Sequence, residues 1–386
     1  MSGAVVLSGV DRVVTSQVRL PDLRYGLVTA AHARTNAGRS SRVALQEQAR
    51  IACLFSPEHG LDGVAGAGDS VGDSRDELTG LPVYSLYQQQ GENELIPAAA
   101  LESIDAFLYD LPDIGVRFYT YISTCLQVLE IAARAGKAVC ILDRPNPLGG
   151  LVLEGLTLAP GDFSFIGPYS LPIRYGLTVG ELATLYVAER GLELDLEVIQ
   201  IEGWRRGMLQ PDTGQVFTIP SPNIPNWQTA LCYPGTCLIE GTNLSEGRGT
   251  PRPFTWFGTP WIRQEELAQA LEELPHPGLA IRPQGYIPSA SKLAGQHCQG
   301  IALEITDAAA LRPVGFMVAA IDRIRSLYPD DFRFIAPEET SIAAICRHIG
   351  RSFVEDGWRV ADFACREAQD TSEFRARVAP WLLYKE

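Results

Sequence analysis

The acidic side chain with the clearest chemical potential is Glu58, which stands next to His59 on a turn bounded by a proline and a glycine. The turn follows the apolar run 51–54, which predicts a buried strand. In an open parallel sheet, ligands bind outside the carboxyl ends of the strands, so this turn is a natural place for chemistry. A carboxyl group beside an apolar wall can keep its proton at neutral pH, as a general acid must. A capping or ion-paired glutamate is the structural alternative, but the glycine-rich residues 60–72 favour an active-site loop.

A second polar segment repeats this layout. Asp110 and Asp113 follow the apolar run 106–109, and Arg117 and Tyr119 come soon after them. The aspartates could orient sugar hydroxyls, and the tyrosine ring could stack on a sugar face. A structural ion pair between an aspartate and Arg117 is the alternative.

A third segment, residues 240–250, combines polar and charged side chains with glycine and has almost no apolar content. Glu240 and Glu246 supply two carboxylates, and Asn243 and Arg248 lie beside them. Glycoside cleavage ordinarily uses a pair of carboxylates, one as acid and the other as base or nucleophile. The spacing along the chain leaves retention or inversion open.

Further donors for a substrate occur where other strands are predicted to end. Arg144 and Asn146 follow the apolar run 138–142, and Arg174 and Asn223 lie in later polar segments. The planar guanidinium of arginine matches a carboxylate in bidentate fashion, so an anionic substrate group is indicated. Neutralisation of nearby aspartates by these arginines is the alternative.

Length and composition limit the classes of protein to which this chain can belong. A chain of 386 residues exceeds one hydrophobic core, which predicts two domains. A net charge of −14 argues against nucleic acid and against an anionic membrane surface. No signal peptide or membrane span is predicted, and the eight cysteines lie mostly in apolar runs, as free thiols in a reducing compartment do. We therefore expect a cytoplasmic protein.

The order of elements predicts an α/β fold with a Rossmann-like parallel-sheet domain at residues 1–230 and a smaller mixed α/β domain at residues 231–386. The proline-rich stretch 219–227 is interpreted as the linker. Strands are predicted at 25–29, 51–55, 83–86, 106–110, 138–143, 196–201 and 301–305. Helices are predicted at 120–135, at 264–273, at 315–327 and near the carboxyl terminus, and another begins at a capping box formed by Thr178 and Glu181.

Several motifs with established chemistry are missing. The sequence has no P-loop, and residues 66–72 miss the dinucleotide-binding spacing by one residue. Cys232 and Cys237 have neither a second pair nor a histidine cluster to complete a zinc site. We predict neither a metal nor an organic cofactor.

Taken together, the motifs resemble the NamZ-type exo-β-N-acetylmuramidases, in that family's order and over residues 20 to 384. The matching segments are FSPEHGL (55–61), TGLPVYSLY (79–87), D-x-x-D-x-GVRFYTY (110–121), LDRPNPLGG (142–150), PIRYGLTVGELA (172–183), SPNIP (221–225), YPGTCLIEGTNLSEGRGT (233–250) and PF (253–254). The chain differs from the usual family pattern at Pro112, at Tyr175 and in the turn 30–32.

The resemblance implies release of N-acetylmuramic acid from the non-reducing end of peptidoglycan fragments, by a cleft between two domains and without a cofactor. It makes Glu58 the leading catalytic candidate, with His59 orienting it and Glu240 or Glu246 activating water or stabilising positive charge. The partner would be a muropeptide or another saccharide that contains N-acetylmuramic acid. Substrate-assisted catalysis with Asp113 orienting the acetamido group stays open, as do a different N-acetylated or acidic sugar and a non-catalytic binding protein.

Overall fold

The structure is a computed structural model that describes residues 5–58, 60–62, 74–87, 96–336 and 343–386. Its strands are β1 (Arg24–Thr29), β2 (Arg50–Ser56), β3 (Ser74–Arg75), β4 (Pro82–Ser85), β5 (Ala106–Asp110), β6 (Ala138–Leu142), β7 (Leu196–Ile199), β8 (Trp256–Thr259), β9 (Leu279–Tyr286) and β10 (Cys298–Ile305). Its helices are α1 (Gly9–Val14), α2 (Ser41–Gln46), α3 (Ala98–Glu102), α4 (Tyr121–Ala135), α5 (Val179–Arg190), α6 (Trp227–Thr236), α7 (Gln264–Glu272), α8 (Pro313–Leu327), α9 (Ile345–Ile349), α10 (Arg351–Glu355) and α11 (Val360–Val378).

The first domain is built on a seven-stranded sheet in the order β3-β4-β2-β1-β5-β6-β7. All neighbouring strands are parallel except β3, which runs antiparallel to β4 at one edge. Without β3, the order of the six parallel strands is that of a Rossmann sheet, with its switch point between β1 and β5. The predicted α/β class and Rossmann-like sheet are confirmed.

The central strands are buried because the sheet has a hydrophobic core on each face. Along β5, Phe107 and Tyr109 point into the larger core, whereas Ala106 and Leu108 point into the smaller one. The larger core also takes the apolar side of α4, which ends at Gly136 in a left-handed conformation that glycine adopts without strain. Since both faces are covered, the polar residues that follow β1, β2 and β5 collect at the carboxyl edge of the sheet.

The second domain pairs a three-stranded antiparallel sheet, in the order β8-β10-β9, with α6, α7 and α8. The predicted strand 301–305 lies within β10, while β8 and β9 were not predicted from the sequence. In β9, residues 282–285 of eight include arginine, proline, glutamine and glycine, so the strand lacks the period-two apolar pattern that would have identified it.

The helix predictions agree closely with the structure. Thr178 caps α5 by accepting a hydrogen bond from the Glu181 amide, and Glu181 accepts one in return from the Thr178 amide at 3.1 Å. The predicted linker 219–227 ends where α6 begins at Trp227. Both Tyr119 and Tyr121 donate hydrogen bonds to the Pro220 carbonyl, so the segment is fastened to the first domain.

The carboxyl-terminal residues return to the first domain. The Tyr384 hydroxyl donates to the buried Asp143 carboxylate at 2.5 Å, and the Ile201 amide donates to that hydroxyl at 3.1 Å. The Leu383 amide donates to buried Glu181 at 2.9 Å. Residues 383–384 therefore complete the polar interior of the first domain, although its last strand, β7, ends at Ile199.

None of the helices in the described part of the chain combines the length and the apolarity needed to cross a membrane.

Candidate active site

Glu58 lies directly after β2, at the carboxyl edge of the sheet, and its side chain is buried. Its carboxylate accepts a hydrogen bond of 2.5 Å from the hydroxyl of Thr120, the residue that precedes α4. His59 and most of the glycine-rich stretch 60–72 lie outside the described residues.

Asp110 ends β5, on the other side of β1, and pairs with Arg144. The Arg144 Nε donates to Asp110 Oδ1 at 2.8 Å, and its Nη2 lies 2.7 Å from the same oxygen. The Arg144 Nη1 also donates to the Arg34 carbonyl at 3.1 Å, which links the turns after β1 and β6. The predicted alternative, an ion pair of Asp110 or Asp113 with Arg117, is wrong. The Arg117 guanidinium is fully buried and donates instead to the carbonyls of Leu156, Leu171 and His348.

Asp113 lies on the turn after β5 and is held by two donors. The Gly115 amide donates to Asp113 Oδ2 at 2.7 Å, and the Tyr175 hydroxyl donates to the same oxygen. Burial raises the Asp113 pKa to about 6, although both hydrogen bonds act in the opposite direction. Burial raises the pKa of the Tyr121 hydroxyl, a hydrogen bond with Tyr119 opposes this, and the charges of Glu58 and Asp113 raise it further.

The crevice at the switch point holds polar atoms that the protein does not satisfy. Thr29 Oγ1, Asp110 Oδ2 and Asp113 Oδ1 are buried and lack a hydrogen-bond partner among the described residues. Beside them is a cavity of about 150 Å³, lined by Asp113 and Arg144 together with Arg34, Phe217 and Pro220. Buried polar groups in proteins are almost always paired, so these atoms are suited to a polar ligand or to ordered water.

The raised Asp113 pKa makes a prediction about stability. Its pKa of about 6 in the folded protein exceeds the ordinary aspartate pKa of 3.8, so between these pH values the folded protein binds a proton that the unfolded chain does not. The contribution of protonated Asp113 to the free energy of unfolding is complete below about pH 4 and is lost as the pH rises through about 6. We expect Asp113→Asn to flatten this part of the curve of Tm against pH, measured from pH 4 to 7. An equally steep curve in the variant would contradict the assignment.

The second acidic cluster lies in the second domain and contains Glu240 and Glu246. The Arg248 Nη1 lies 2.6 Å from Glu240 Oε1 and 3.4 Å from Glu246 Oε1, and its guanidinium stacks on Phe254 with 4.9 Å to the ring centroid. Burial opposes ionisation of Glu240, but the neighbouring His348 ring and the charge of Arg248 outweigh it and lower the Glu240 pKa to about 2. Glu240 is therefore suited to act as a carboxylate and not as an acid.

Glu246 is almost completely buried and is held by a lysine from another loop. The Lys292 Nζ lies 3.0 Å from Glu246 Oε2, and the Ser291 hydroxyl lies 3.4 Å from Glu246 Oε1. Arg248 is also in contact with both carboxylates, so Arg248 and Lys292 together neutralise the charges of Glu240 and Glu246. This arrangement fixes Glu246 within its own loop.

Phe118 connects the segment after β5 to the second domain. Its ring packs edge-on against Tyr233 of α6, with 5.5 Å between centroids, and against His348 of α9, at 5.2 Å. The adjacent Arg117 donates to the His348 carbonyl. The polar segment after β5 thus contacts the second domain next to Glu240, because the His348 Nε2 lies 3.7 Å from Glu240 Oε2.

Several residues predicted to bind substrate have structural partners. Arg174 is buried against Glu154 and the Leu148 carbonyl. Asn146 bonds the Leu177 carbonyl at 2.9 Å and accepts from the Leu148 amide at 2.9 Å. A Cβ on Gly115, where φ is +73°, would come within 2.3 Å of the Asn146 oxygen, so this turn needs glycine.

Tyr119 and Asn243, which were also predicted to bind substrate, likewise have structural partners. The Tyr119 hydroxyl is buried against the Pro220 carbonyl at 2.8 Å. Asn243 donates to the Asp331 carbonyl at 2.8 Å and accepts from the Arg333 amide at 3.0 Å, which fastens its loop to the end of α8. Asn223 is partly exposed on the linker. We therefore centre the proposed site on Glu58, Asp110, Asp113, Arg144, Glu240, Glu246 and Arg248.

Sequence reasoning did not assign roles to Thr120, Tyr175, Lys292 and His348. Tyr175 was noted only as a difference from the family pattern, yet its hydroxyl reaches Asp113. Lys292 lies in a segment without any recognised motif, and no sequence pattern indicates that it reaches Glu246. The scarcity of lysine in an arginine-rich chain was the one available signal.

One group of potential metal ligands occurs among the described residues. The ligand atoms of Cys237, Glu240 and His348 all lie within 4.8 Å of one another. The Arg248 guanidinium is already in contact with Glu240 and would repel a cation there. We therefore propose no metal at this position.

The fold and the crevice define a two-domain α/β protein with carboxylates at the carboxyl edge of a Rossmann-type sheet and a second cluster of carboxylates in the other domain. Comparison with known sequences narrows this class. Residues 25–228 match the family described as "Exo-beta-N-acetylmuramidase NamZ, N-terminal", and residues 231–384 match "Exo-beta-N-acetylmuramidase NamZ, C-terminal". The chain belongs to the NamZ family, and the resemblance inferred from the motifs is confirmed.

Individual relatives agree with this membership. The chain is 38% identical over 382 residues to the "Peptidoglycan beta-N-acetylmuramidase NamZ" of Bacillus subtilis (strain 168), covering 98% of this chain and 91% of the relative. A crystal structure of a DUF1343 family protein from Bacteroides fragilis NCTC 9343 superimposes with a TM-score of 0.88 at 30% identity, covering 99% of this chain and all of the other. A second protein of that family and organism shares the fold, with a TM-score of 0.73 at 24% identity and 99% coverage of both chains.

Proposed function

We propose that this chain is an exo-acting glycoside hydrolase that releases N-acetylmuramic acid from the non-reducing end of peptidoglycan fragments. The observation that carries the proposal is the position of Glu58, a buried carboxylate at the carboxyl end of β2, the strand beside β1. The 38% identity to a peptidoglycan β-N-acetylmuramidase over nearly the whole chain supports the choice of sugar.

In this proposal Glu58 protonates the leaving oxygen and His59 orients it. Thr120 fixes the carboxyl group of Glu58 through its hydroxyl. Glu240, which stays ionised at neutral pH, stabilises positive charge at the anomeric carbon or activates water. Glu246 and Arg248 hold Glu240 in an electrically balanced cluster.

The crevice also supports a substrate-assisted course. Asp113 has an unsatisfied buried oxygen beside the cavity, while its other oxygen is held by Tyr175 and the Gly115 amide. A carboxylate fixed in this way could accept a hydrogen bond from the acetamido N–H of the substrate. Arg34 and Arg144 line the same cavity and could pair with the lactyl carboxylate of muramic acid.

The cytoplasmic location is also kept as a proposal. All eight cysteines are free, and seven of them are buried. Free thiols are typical of proteins in a reducing compartment. A soluble muropeptide or disaccharide would then be the partner.

The test of the activity is release of chromophore from an aryl β-N-acetylmuramide and from the matching N-acetylglucosaminide, which lacks the lactyl group. We expect turnover of the muramide alone. Turnover of the glucosaminide would point to a different sugar. Calorimetric binding of muropeptide without turnover of either compound would favour a non-catalytic binding protein.

A further inference from the structure

The loop that joins β9 to β10, residues 287–297, packs against the acidic segment, residues 239–250. We call it the clamp loop. The Ser289 amide and hydroxyl both donate to the Gly249 carbonyl, at 2.9 and 2.8 Å. Gly249 has a φ of +77°, and a Cβ there would lie 2.4 Å from the Ala290 nitrogen, so the two segments approach too closely for any other residue.

Lys292 is the central contact between these segments. Its Nζ donates to the carbonyls of Ile239 at 3.0 Å, Glu240 at 3.4 Å and Thr242 at 2.9 Å, and lies 3.0 Å from Glu246 Oε2. Two of these carbonyls belong to the helical turn Cys237–Gly241, and the Ile239 carbonyl also accepts a hydrogen bond from the Thr242 amide at 2.9 Å. A positive charge at the end of a helix is favourable, so the lysine serves as a cap and a counter-ion at once.

The backbone on both sides of Lys292 is strained. Ser291 has a φ of +65° and Leu293 a φ of +60°, which L residues other than glycine seldom adopt. Such conformations persist only where the surrounding contacts determine them, and they concentrate at functional sites. The strain directs the Lys292 side chain at the acidic segment, whereas the neighbouring Ser289 and Ala290 are exposed.

The presence of lysine, and not arginine, at position 292 is also informative. The sequence contains only three lysines, Lys137, Lys292 and Lys385, among 32 lysine and arginine residues. An ammonium group is compact and directs three donors from a single nitrogen, whereas the guanidinium of arginine spreads its donors over three nitrogens in one plane. The contacts of Lys292 need the ammonium geometry.

We propose that Lys292 is a positioning residue for catalysis, which holds Glu240 and Glu246 in their working geometry by anchoring the acidic segment to the clamp loop. This proposal rests on the proposed glycosidase function. It assigns a role in the reaction to a loop outside every recognised motif. Lys292 itself contacts carbonyls and Glu246 and need not touch the substrate.

The kinetic test compares Lys292→Met with the matched control Lys137→Met. Lys137 is a partly buried lysine whose Nζ bonds the Ile104 carbonyl at 2.8 Å, beside the start of β6 at the opposite edge of the sheet. Assayed well below the Tm of each variant, Lys292→Met is expected to lower kcat at least about tenfold with little change in KM, because misplaced catalytic groups slow the chemical step. The control is expected to match the wild type. A normal kcat in Lys292→Met would overturn the proposal.

Chemical rescue tests the geometry. In a Cys365→Ser background, which removes the exposed thiol, Lys292→Cys is treated with bromoethylamine to give a lysine analogue at this position. We expect aminoethylation to restore most of kcat, whereas carbamidomethylation and Lys292→Arg do not restore it. Full activity in Lys292→Arg would show that only charge matters and would overturn the anchoring role.

Hydrogen–deuterium exchange separates this proposal from the proposed activity. Faster exchange of the peptide 239–250 is expected in Lys292→Met and not in Lys137→Met, whatever the substrate. If the wild type turns over no muramide, the proposed function fails while this measurement still decides whether Lys292 anchors the segment. Unchanged exchange in Lys292→Met would overturn the anchoring.

Discussion

Replacement of Glu58 by Gln is expected to lower kcat on a muramic acid disaccharide by about 10²-fold or more, because it removes the proton that the leaving oxygen needs. The glutamine keeps the size of the side chain and can still accept the hydrogen bond from Thr120, so the fold and the crevice should persist. Initial rates and thermal melts of both proteins provide the measurement.

Comparing substrates with different leaving groups makes this test specific for the role of Glu58 as an acid. An aryl leaving group with a low pKa needs little help from an acid, whereas a sugar alkoxide needs full protonation. The loss of activity in Glu58→Gln should therefore be much larger on the disaccharide than on an activated aryl muramide. Glu102→Gln, an exposed glutamate at the end of α3, serves as the matched control. Equal losses on both substrates would assign Glu58 to another role.

Replacement of Arg206 by Met is expected to destabilise the protein by about 3–5 kcal/mol, because it leaves a buried carboxylate without its cation. The Arg206 Nη1 lies 2.7 Å from Glu181 Oε1, and both side chains are almost inaccessible. The same guanidinium donates to the carbonyls of Gly150 and Gly176, which would lose their donor as well. Urea denaturation gives the free energy of unfolding.

The control for Arg206 is an exposed pair with similar geometry. Arg263 lies 2.7 Å from Glu266, three residues along, and both side chains face solvent. Exposed pairs are worth about 0–1 kcal/mol, so Arg263→Met should change the free energy of unfolding little. If Arg206→Met were as mild as Arg263→Met, the Glu181 carboxylate would have to be hydrated or protonated in the folded protein.

The sequence was sufficient to predict the parallel sheet and the position of Glu58. Strands such as β5 are short apolar runs that end in an aspartate, and this pattern appears directly in the sequence. The capping box at Thr178 was predictable for the same reason, since its donors and acceptors lie within four residues. Local patterns such as these need no knowledge of distant contacts.

The pairings of the charged residues were not predictable. Arg117, Arg144 and Arg174 looked alike in the sequence, yet only Arg144 lines the crevice. Arg117 instead donates to carbonyls that are 39 to 231 residues away. Lys292 reaches Glu246 over a comparable gap, from a hairpin whose first strand lacks an apolar pattern. Long-range packing decides such partners, and spacing within a motif carries no information about it.

The return of residues 383–384 to the first domain has a consequence for biosynthesis. The buried carboxylates of Asp143 and Glu181 receive hydrogen bonds from the Tyr384 hydroxyl and the Leu383 amide. Until residues 383–384 have been synthesised and have left the ribosome, these two hydrogen bonds are missing, and a lost hydrogen bond to a buried carboxylate is costly. The first domain is translated first, but it can become fully stable only after the second domain has been synthesised and residues 383–384 have returned to the first.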